Sequence, residues 1–100
     1  MYNRIEQEVA EYFGISPESI RSSSMKRVDT QARHYVWYIL YYIFGFKAAA
    51  IAYEYGVTRQ LVHHSVKQVH EWIRLYPDCA ETYSDIMNRL KDITDPASMA

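Results

Sequence analysis

Arg59 and Gln60 are the residues whose types and spacing indicate the clearest chemistry, and they directly follow Thr58. Arginine can donate two hydrogen bonds to the edge of guanine, and glutamine can form two with adenine, in the major groove of a DNA duplex. Thr58 is a preferred N-cap residue, so both side chains are expected at the exposed beginning of a helix. The pattern predicts base contacts by Arg59, Gln60 and His63.

Other polar and basic residues are predicted to contact phosphates or a minor groove beside these side chains. Threonine, lysine and helix N-terminal amides suit the anionic backbone, and a histidine near phosphates can gain charge. All four histidines lie between residues 34 and 70. For each charge alone, a solvated surface position is the simpler interpretation, but the grouping favours binding. The residues assigned to the backbone or minor groove are Lys26, Arg27, Arg33, Thr58, His64 and Lys67.

A helix-turn-helix over Lys47 to Arg74 is the element that must position these side chains. Ala52 is small enough for two helices to cross closely, and Gly56 tolerates the left-handed backbone of a tight turn. The beginning of the second helix then projects outward, where it can enter a major groove. The same pattern also fits an ordinary helical hairpin with Arg59 and Gln60 on a solvated face.

Apolar residues at helical spacing predict an all-α fold, a compact bundle of about six helices that contains the helix-turn-helix. The apolar stripes of the third and fifth helices include Ile43 and Leu61. Residues 1–93 are expected to form a single domain, and residues 94–100 a flexible tail. Outside the motif, start and stop signals predict four further helices. The first begins with a capping box at Asn3 and Glu6 and ends at Gly14, and the second runs from Ser16-Pro17 to about Arg21. The third runs from Asp29 or Thr30 to Phe44, and the last begins at Asp78-x-x-Glu81.

The charges are divided unevenly along the chain, although the net charge is only −1. Residues 21–74 carry eight Lys and Arg against three acidic residues. Residues 1–20 carry one Arg against four Glu, and residues 75–100 carry two basic residues against five acidic ones. Because phosphate neutralisation supplies most non-specific affinity for nucleic acid, the basic middle segment is the part expected to face DNA.

Other classes of function find little support. Cys79 is the only cysteine, which excludes an internal disulfide and a four-thiolate zinc site. No His-Glu-x-x-His motif is present, so neither metal nor cofactor is expected, and Cys79 has no nearby histidine for a catalytic pair, so the chain is not expected to be an enzyme. The chain begins without an apolar signal core, and the run from Tyr35 to Phe46 is too short for a bilayer span, which favours a cytoplasmic protein without membrane insertion.

Several segments resemble, in order, the C-terminal DNA-binding domain of the bacterial replication initiator DnaA, which has a helix-turn-helix of the Trp-repressor-like type. The resemblance implies that the basic loop, residues 22–27, contacts a minor groove while the helix-turn-helix reads a major groove. It assigns the first role to Lys26, Arg27 and Arg33. The similar segments are Ile5 to Phe13, Ile15 to Ile20, the basic loop, Ala32-Arg33, and Ile51-Ala52 through Tyr55-Gly56 to His64.

The chain departs from this family where specificity is set. The family signature after the turn glycine is Gly-Arg-Asp-His-Thr-Thr-Val-x-His, whereas this chain continues from Val57 to His64 with one residue fewer, and only Val62 and His64 match. We therefore expect a retained scaffold with a different recognised sequence. No Gly-x-x-x-x-Gly-Lys-Ser/Thr motif is present, so we expect a free-standing relative, bacterial or from a phage, that acts in replication or transcription control.

A helical protein-interaction module is the alternative prediction. Aromatic residues at helical spacing usually fill a core, and Trp37 lies among those of the third helix. An exposed patch of Tyr38, Tyr41 and Tyr42 would instead provide a surface for a homodimer or for a replication or transcription protein.

Overall fold

The computed structural model describes residues 1–94, and residues 95–100 lie outside the described part. The predicted all-α fold is confirmed. Thr94 is the last residue of the final described helix, so the flexible tail stays a prediction. The seven helices within residues 1–94 are α1 (Tyr2–Phe13), α2 (Pro17–Arg21), α3 (Arg27–Tyr38, continued by a π-helical turn over Ile39–Ile43), α4 (Ala48–Tyr55), α5 (Arg59–Leu75), α6 (Pro77–Arg89) and α7 (Lys91–Thr94).

The helix ends that depend on glycine and proline lie where the sequence predicts them. Gly14 ends α1 and Gly56 ends α4, both with a left-handed backbone that side chains rarely adopt. Pro17 is the first residue of α2, directly after Ser16. These signals are local, since each acts through the conformation of its own residue.

The predicted capping box at Asn3 is wrong. α1 already begins at Tyr2, so Asn3 lies inside the helix. The carboxylate of Glu6 is buried and accepts hydrogen bonds from Arg21 and Tyr55. Tertiary contacts therefore occupy the acceptor that the capping box required.

The N-caps of α3 and α6 lie two to four residues earlier than predicted. Lys26 is the N-cap of α3, so Asp29 and Thr30 lie within its first turn. Pro77 begins α6, and Asp78 therefore lies in the first helical turn and is not a cap. Proline suits this first position because the helix leaves that N–H unpaired in any case.

The π-helical turn at the end of α3 changes which residues face the core. The Phe44 N–H donates to the carbonyl oxygen of Ile39 at 3.2 Å, a bond that spans five residues where a regular α-helix spans four. Phe44 then packs against the core, whereas Ile43 is 40% exposed. The prediction of Ile43 in the buried stripe is wrong, because the turn closes one residue later than regular spacing assumes.

One core joins the helices, with α3 in contact with α1, α2 and α5. Its largest fully buried side chains are Trp37 and Tyr35 of α3. Burial of apolar surface is the dominant stabilising contribution in such a core. Tyr38 also belongs to it with only 7% exposure, so the predicted exposure of Tyr38 in a partner patch is wrong.

A buried polar network holds α4, the first helix of the motif, against α1 and α2. Glu6 accepts hydrogen bonds from Arg21 Nε at 2.6 Å and from the Tyr55 hydroxyl at 2.5 Å. Arg21 also donates to Glu54 at 2.7 Å, and its guanidinium lies 4.9 Å from the centroid of the Tyr55 ring. Burial, together with the bond to Glu6, raises the pKa of Tyr55, which keeps its hydroxyl protonated as a donor.

A second group of charges, the terminal clamp, joins α1 to α6 and α7 and comprises Arg4, Glu8, Glu11, Arg89 and Asp92. Arg4 donates to both carboxylate oxygens of Asp92, at 2.8 and 2.7 Å, and to Glu8 at 3.1 Å. Arg89 lies 3.1 Å from Glu11. The clamp pairs most of the basic residues at the two ends of the described chain.

Candidate nucleic-acid interface

The turn between α4 and α5 has the geometry that the sequence predicts. Gly56 adopts φ +66°, and the Val57 N–H donates to the carbonyl oxygen of Ala52 at 3.0 Å. The Thr58 hydroxyl then accepts a hydrogen bond from the Leu61 N–H at 3.1 Å, which confirms Thr58 as the N-cap of α5. The first turn of α5 is therefore rigidly connected to the turn that precedes it.

The side chains predicted to point outward from α5 are exposed. Arg59 and Lys67 are also without an ion pair in residues 1–94. Unpaired cations on one helix face are available to phosphates and base edges. The exposed residues are Thr58, Arg59, Gln60, His63, His64 and Lys67.

One flank of α5 faces the end of α3 and the beginning of α4. Arg59 and His63 line a groove there with Tyr41, Phe46 and Lys47. Lys47, the N-cap of α4, is exposed and was not among the predicted site residues. The sequence signal for Lys47 was its place directly before the Ala-rich start of α4. At the N-cap, its positive charge lies beside backbone N–H groups that have no partner within the helix.

The opposite flank of α5 faces the beginning of α3. Gln68 and Trp72 line a groove there together with Met25 and Arg27. Lys26 and Arg27 are both exposed. The fold therefore brings the basic loop and α5 to the two sides of one groove, although more than 30 residues separate them in the sequence.

Arg33 has different surroundings from the other predicted backbone contacts. Its Nε donates to the carbonyl oxygen of Ile20 at 2.7 Å, and its Nη2 donates to that of Ser22 at 2.7 Å and to those of Ser19 and Ser24 at 3.3 Å. Burial lowers the pKa of Arg33 from its ordinary value, although Asp29 acts in the opposite direction. The guanidinium ties the end of α2 and the following serine loop to α3.

The histidines of the basic segment fall into two groups. His34 lies between Trp37 and Trp72, and burial lowers its pKa to about 4. The expectation that every histidine here can gain charge near phosphates is therefore wrong for His34. His63 and His64 are exposed on α5 and keep their predicted positions.

The aromatic residues at the end of α3 form a partly exposed cluster with α5. Tyr42 is 49% exposed and stacks on His70 with ring centroids 5.5 Å apart. Tyr41 is half-buried and meets His63 edge to face. Of the predicted tyrosine patch, Tyr41 and Tyr42 thus remain at the surface while Tyr38 is in the core.

Leu61 was predicted in the apolar stripe of α5 but is 41% exposed. Val62, Val66 and Val69 fill that stripe and are essentially inaccessible. The stripe prediction is wrong for Leu61 because the core-facing arc of α5 is narrower than the apolar pattern. An apolar side chain therefore lies at the surface in the first turn of α5.

Residues 1–94 contain neither a grouping of side chains suited to a metal ion nor a helix suited to spanning a membrane. No group of three or more His, Cys, Asp or Glu side chains there lies close enough to hold a metal ion. None of the helices in the same range combines the length and the apolar character needed to cross a bilayer.

Comparison with known proteins places this motif in a family. The family model described as "Bacterial dnaA protein helix-turn-helix" matches residues 2–69, from the beginning of α1 into α5. A search of curated proteins finds no match. The remainder of α5, α6 and α7 lies beyond the matched range. By this match, which covers more than half of its residues, the chain belongs to the bacterial DnaA helix-turn-helix family.

Proposed function

We propose that this domain binds double-stranded DNA with sequence selectivity, through α5 and the loop before α3. Membership of the DnaA helix-turn-helix family indicates DNA binding. The observation that carries the more specific proposal is the groove that Arg27, the first residue of α3 after the basic loop, lines together with Gln68 of α5. Two elements on one groove can hold two parts of a duplex in fixed register.

The proposed roles follow from the chemistry and position of each side chain. Arg59, Gln60 and His63 would contact base edges, because they lie at the exposed beginning of α5. Contacts to phosphates or to a minor groove are assigned to Thr58, His64, Lys67, Lys26 and Arg27.

Arg33 is assigned a positioning role in this proposal. Its four bonds to carbonyl oxygens hold the serine loop that leads to Lys26. A loop fixed in this way presents its cations with less loss of conformational entropy when DNA binds. Arg33 would then act on DNA through Lys26 and Arg27.

The recognised sequence is expected to differ from the initiator box of the family. The residues from Val57 to His64 retain only Val62 and His64 of the family signature. Arg59 and Gln60 therefore supply different hydrogen-bonding groups to the bases. We propose that the domain serves replication or transcription control at a sequence of its own.

Selection of bound duplexes from a random pool, followed by affinity measurement on the selected sequence, tests this proposal. Arg59→Ala should weaken binding to the selected duplex by about 1–3 kcal/mol and relax the preference at one base pair. Lys26→Ala should weaken binding to all duplexes alike and flatten the salt dependence. Lys91→Ala on α7 is the control cation and should change neither. Equal loss on every sequence from Arg59→Ala would contradict base reading.

A protein-docking function is the alternative, favoured by the exposure of Tyr42 and Ile43 at the π-helical turn. Sedimentation of the chain with and without random duplex at low salt separates the two proposals. A concentration-dependent dimer that does not shift with DNA would favour docking. A shift with DNA that disappears at high salt would favour the DNA-binding proposal.

A further inference from the structure

We infer that Leu61 contacts the 5-methyl group of a thymine, and so specifies one base pair of the recognised sequence by an apolar contact. This inference rests on the proposed binding of duplex DNA by α5. It concerns a residue that the family signature does not match and that the pattern of the sequence assigned to the core.

The packing of α5 shows that Leu61 is not needed to fill the core. Val62 and Val69 have no exposed surface and Val66 has almost none. Leu61 precedes Val62 directly and is 41% exposed. A single exposed leucine is ordinary on a protein surface, so its position on α5 must carry the argument.

That position is the first turn of α5, in the same turn as Arg59 and Gln60. The Leu61 N–H is held by the Thr58 hydroxyl at 3.1 Å, which fixes the backbone that carries the side chain. Side chains of the first turn of a recognition helix are those that reach base edges. Leu61 thus lies in the same turn as the residues proposed to read bases, on a backbone held by the N-cap.

The direction of the side chain follows from helical periodicity. Gln68 lies seven residues after Leu61, close to two full turns, and therefore on the same side of α5. Gln68 lines the groove that Arg27 bounds on its other side. Leu61 thus lies on the flank of α5 that faces the basic loop, whereas Arg59 lines the groove on the opposite flank.

The chemistry of the major groove leaves one apolar partner for such a side chain. Each base edge presents hydrogen-bond donors and acceptors, and the thymine methyl group is the apolar feature. A leucine pressed against donors and acceptors would remove them from water without a replacement bond. Against a methyl group, both partners lose apolar surface to water, which is favourable.

A cycle of methyl deletion and side-chain truncation tests this contact. In the selected duplex, each thymine is replaced in turn by deoxyuridine, which lacks only the methyl group, and affinity is measured by titration. The affinity of the wild-type domain should fall about three- to fivefold when the thymine at one position is replaced, which is the effect expected for one buried methyl group. Leu61→Ala should bind the thymine duplex more weakly and show no further loss at that position.

Leu75→Ala is the matched control, because Leu75 is an exposed leucine of the same helix, 62% exposed and near its other end. The affinity of Leu75→Ala should fall as much as that of the wild type when the thymine methyl group is removed. Thermal unfolding of both variants checks folding, and both should unfold close to the wild-type temperature since each side chain is exposed.

The two levels of proposal fail in different ways. Wild-type binding that depends on no thymine methyl group, or a methyl dependence that Leu61→Ala leaves intact, overturns the Leu61 contact while DNA binding stands. A selected sequence without thymine overturns it too. Absence of binding to any duplex overturns the proposed function itself, and the contact with it.

Discussion

The basic residues of the terminal clamp and those of α5 have opposite surroundings in one small domain. Arg4 and Arg89 are paired with carboxylates of α1 and α7. Arg59 and Lys67 have no ion pair in the part of the chain that the structure describes. The same residue types therefore join helices in one region and remain available to an external anion in the other.

This difference explains how a chain of net charge −1 can present a cationic surface. Glu6, Glu8 and Glu11 of α1 pair with Arg21, Arg4 and Arg89, in that order. Net charge averages over both regions, whereas a nearby phosphate responds to local charge within about a Debye length. Local pairing is thus the better guide to a nucleic-acid surface.

Of the changes considered, removal of the Glu6 carboxylate should lower the free energy of unfolding the most. Glu6→Ala leaves Arg21 without its buried partner and Tyr55 with an unpaired hydroxyl. We expect a loss of about 3–4 kcal/mol in the free energy of unfolding, measured by urea denaturation. Glu11→Ala is the control, since its exposed pair with Arg89 should contribute less than about 1 kcal/mol. Equal losses in both variants would contradict the distinction between buried and exposed pairs.

His34→Phe tests whether a histidine of the basic segment is held uncharged by burial. Its pKa is lowered to about 4 in the folded protein by burial, against about 6.5 in the unfolded chain. Between pH 7 and pH 4 the unfolded chain binds a proton that the folded protein does not. Wild-type stability should therefore fall by about 2–3 kcal/mol relative to the variant across this range. Parallel curves of stability against pH for the two proteins would refute the assignment.

Arg33→Ala and Arg27→Ala compare two arginines of α3 with different surroundings. Arg33→Ala should lower the free energy of unfolding by about 2 kcal/mol, because four carbonyl oxygens lose a charged donor. Arg27→Ala should leave stability within about 0.5 kcal/mol, since its side chain is exposed. Urea denaturation measures both. A larger loss from Arg27→Ala would reverse the proposed roles.

Lys67→Ala should produce the smallest effect, and only in the presence of DNA. Loss of one phosphate contact should reduce the slope of log affinity against log salt by about one. Titrations at several salt concentrations give this slope. Arg4→Ala, which alters a cation paired with Asp92, should leave the slope unchanged. An unchanged slope in Lys67→Ala would remove Lys67 from the proposed phosphate contacts.

Much of the motif could be predicted from the sequence because its signals are local. Gly56 and Thr58 fix the turn and the cap through their own backbone and side chain. Exposure of Arg59 and Gln60 follows from their position after the cap. Local propensity and tertiary packing agree at these positions, so pattern alone was sufficient.

A sequence pattern could not show which groups a side chain meets once the helices pack. Arg33 binds carbonyl oxygens 9 to 14 residues earlier, and no spacing rule indicates them. Glu6 is used by Arg21 and Tyr55, 15 and 49 residues later, so the capping box was lost. Leu61 is exposed because valines of its own helix already fill the core. Such competition is decided by packing, which a linear pattern does not contain.

The π-helical turn of α3 makes the direction of the chain entering α4 sensitive to the number of residues before it. The bond from Phe44 to Ile39 holds one more residue in this turn than regular winding would. Deleting a single residue within Ile39–Ile43 would let the helix rewind and would rotate everything that follows about its axis. The length of this turn therefore sets the angle between α3 and the helix-turn-helix, whichever side chains α5 carries.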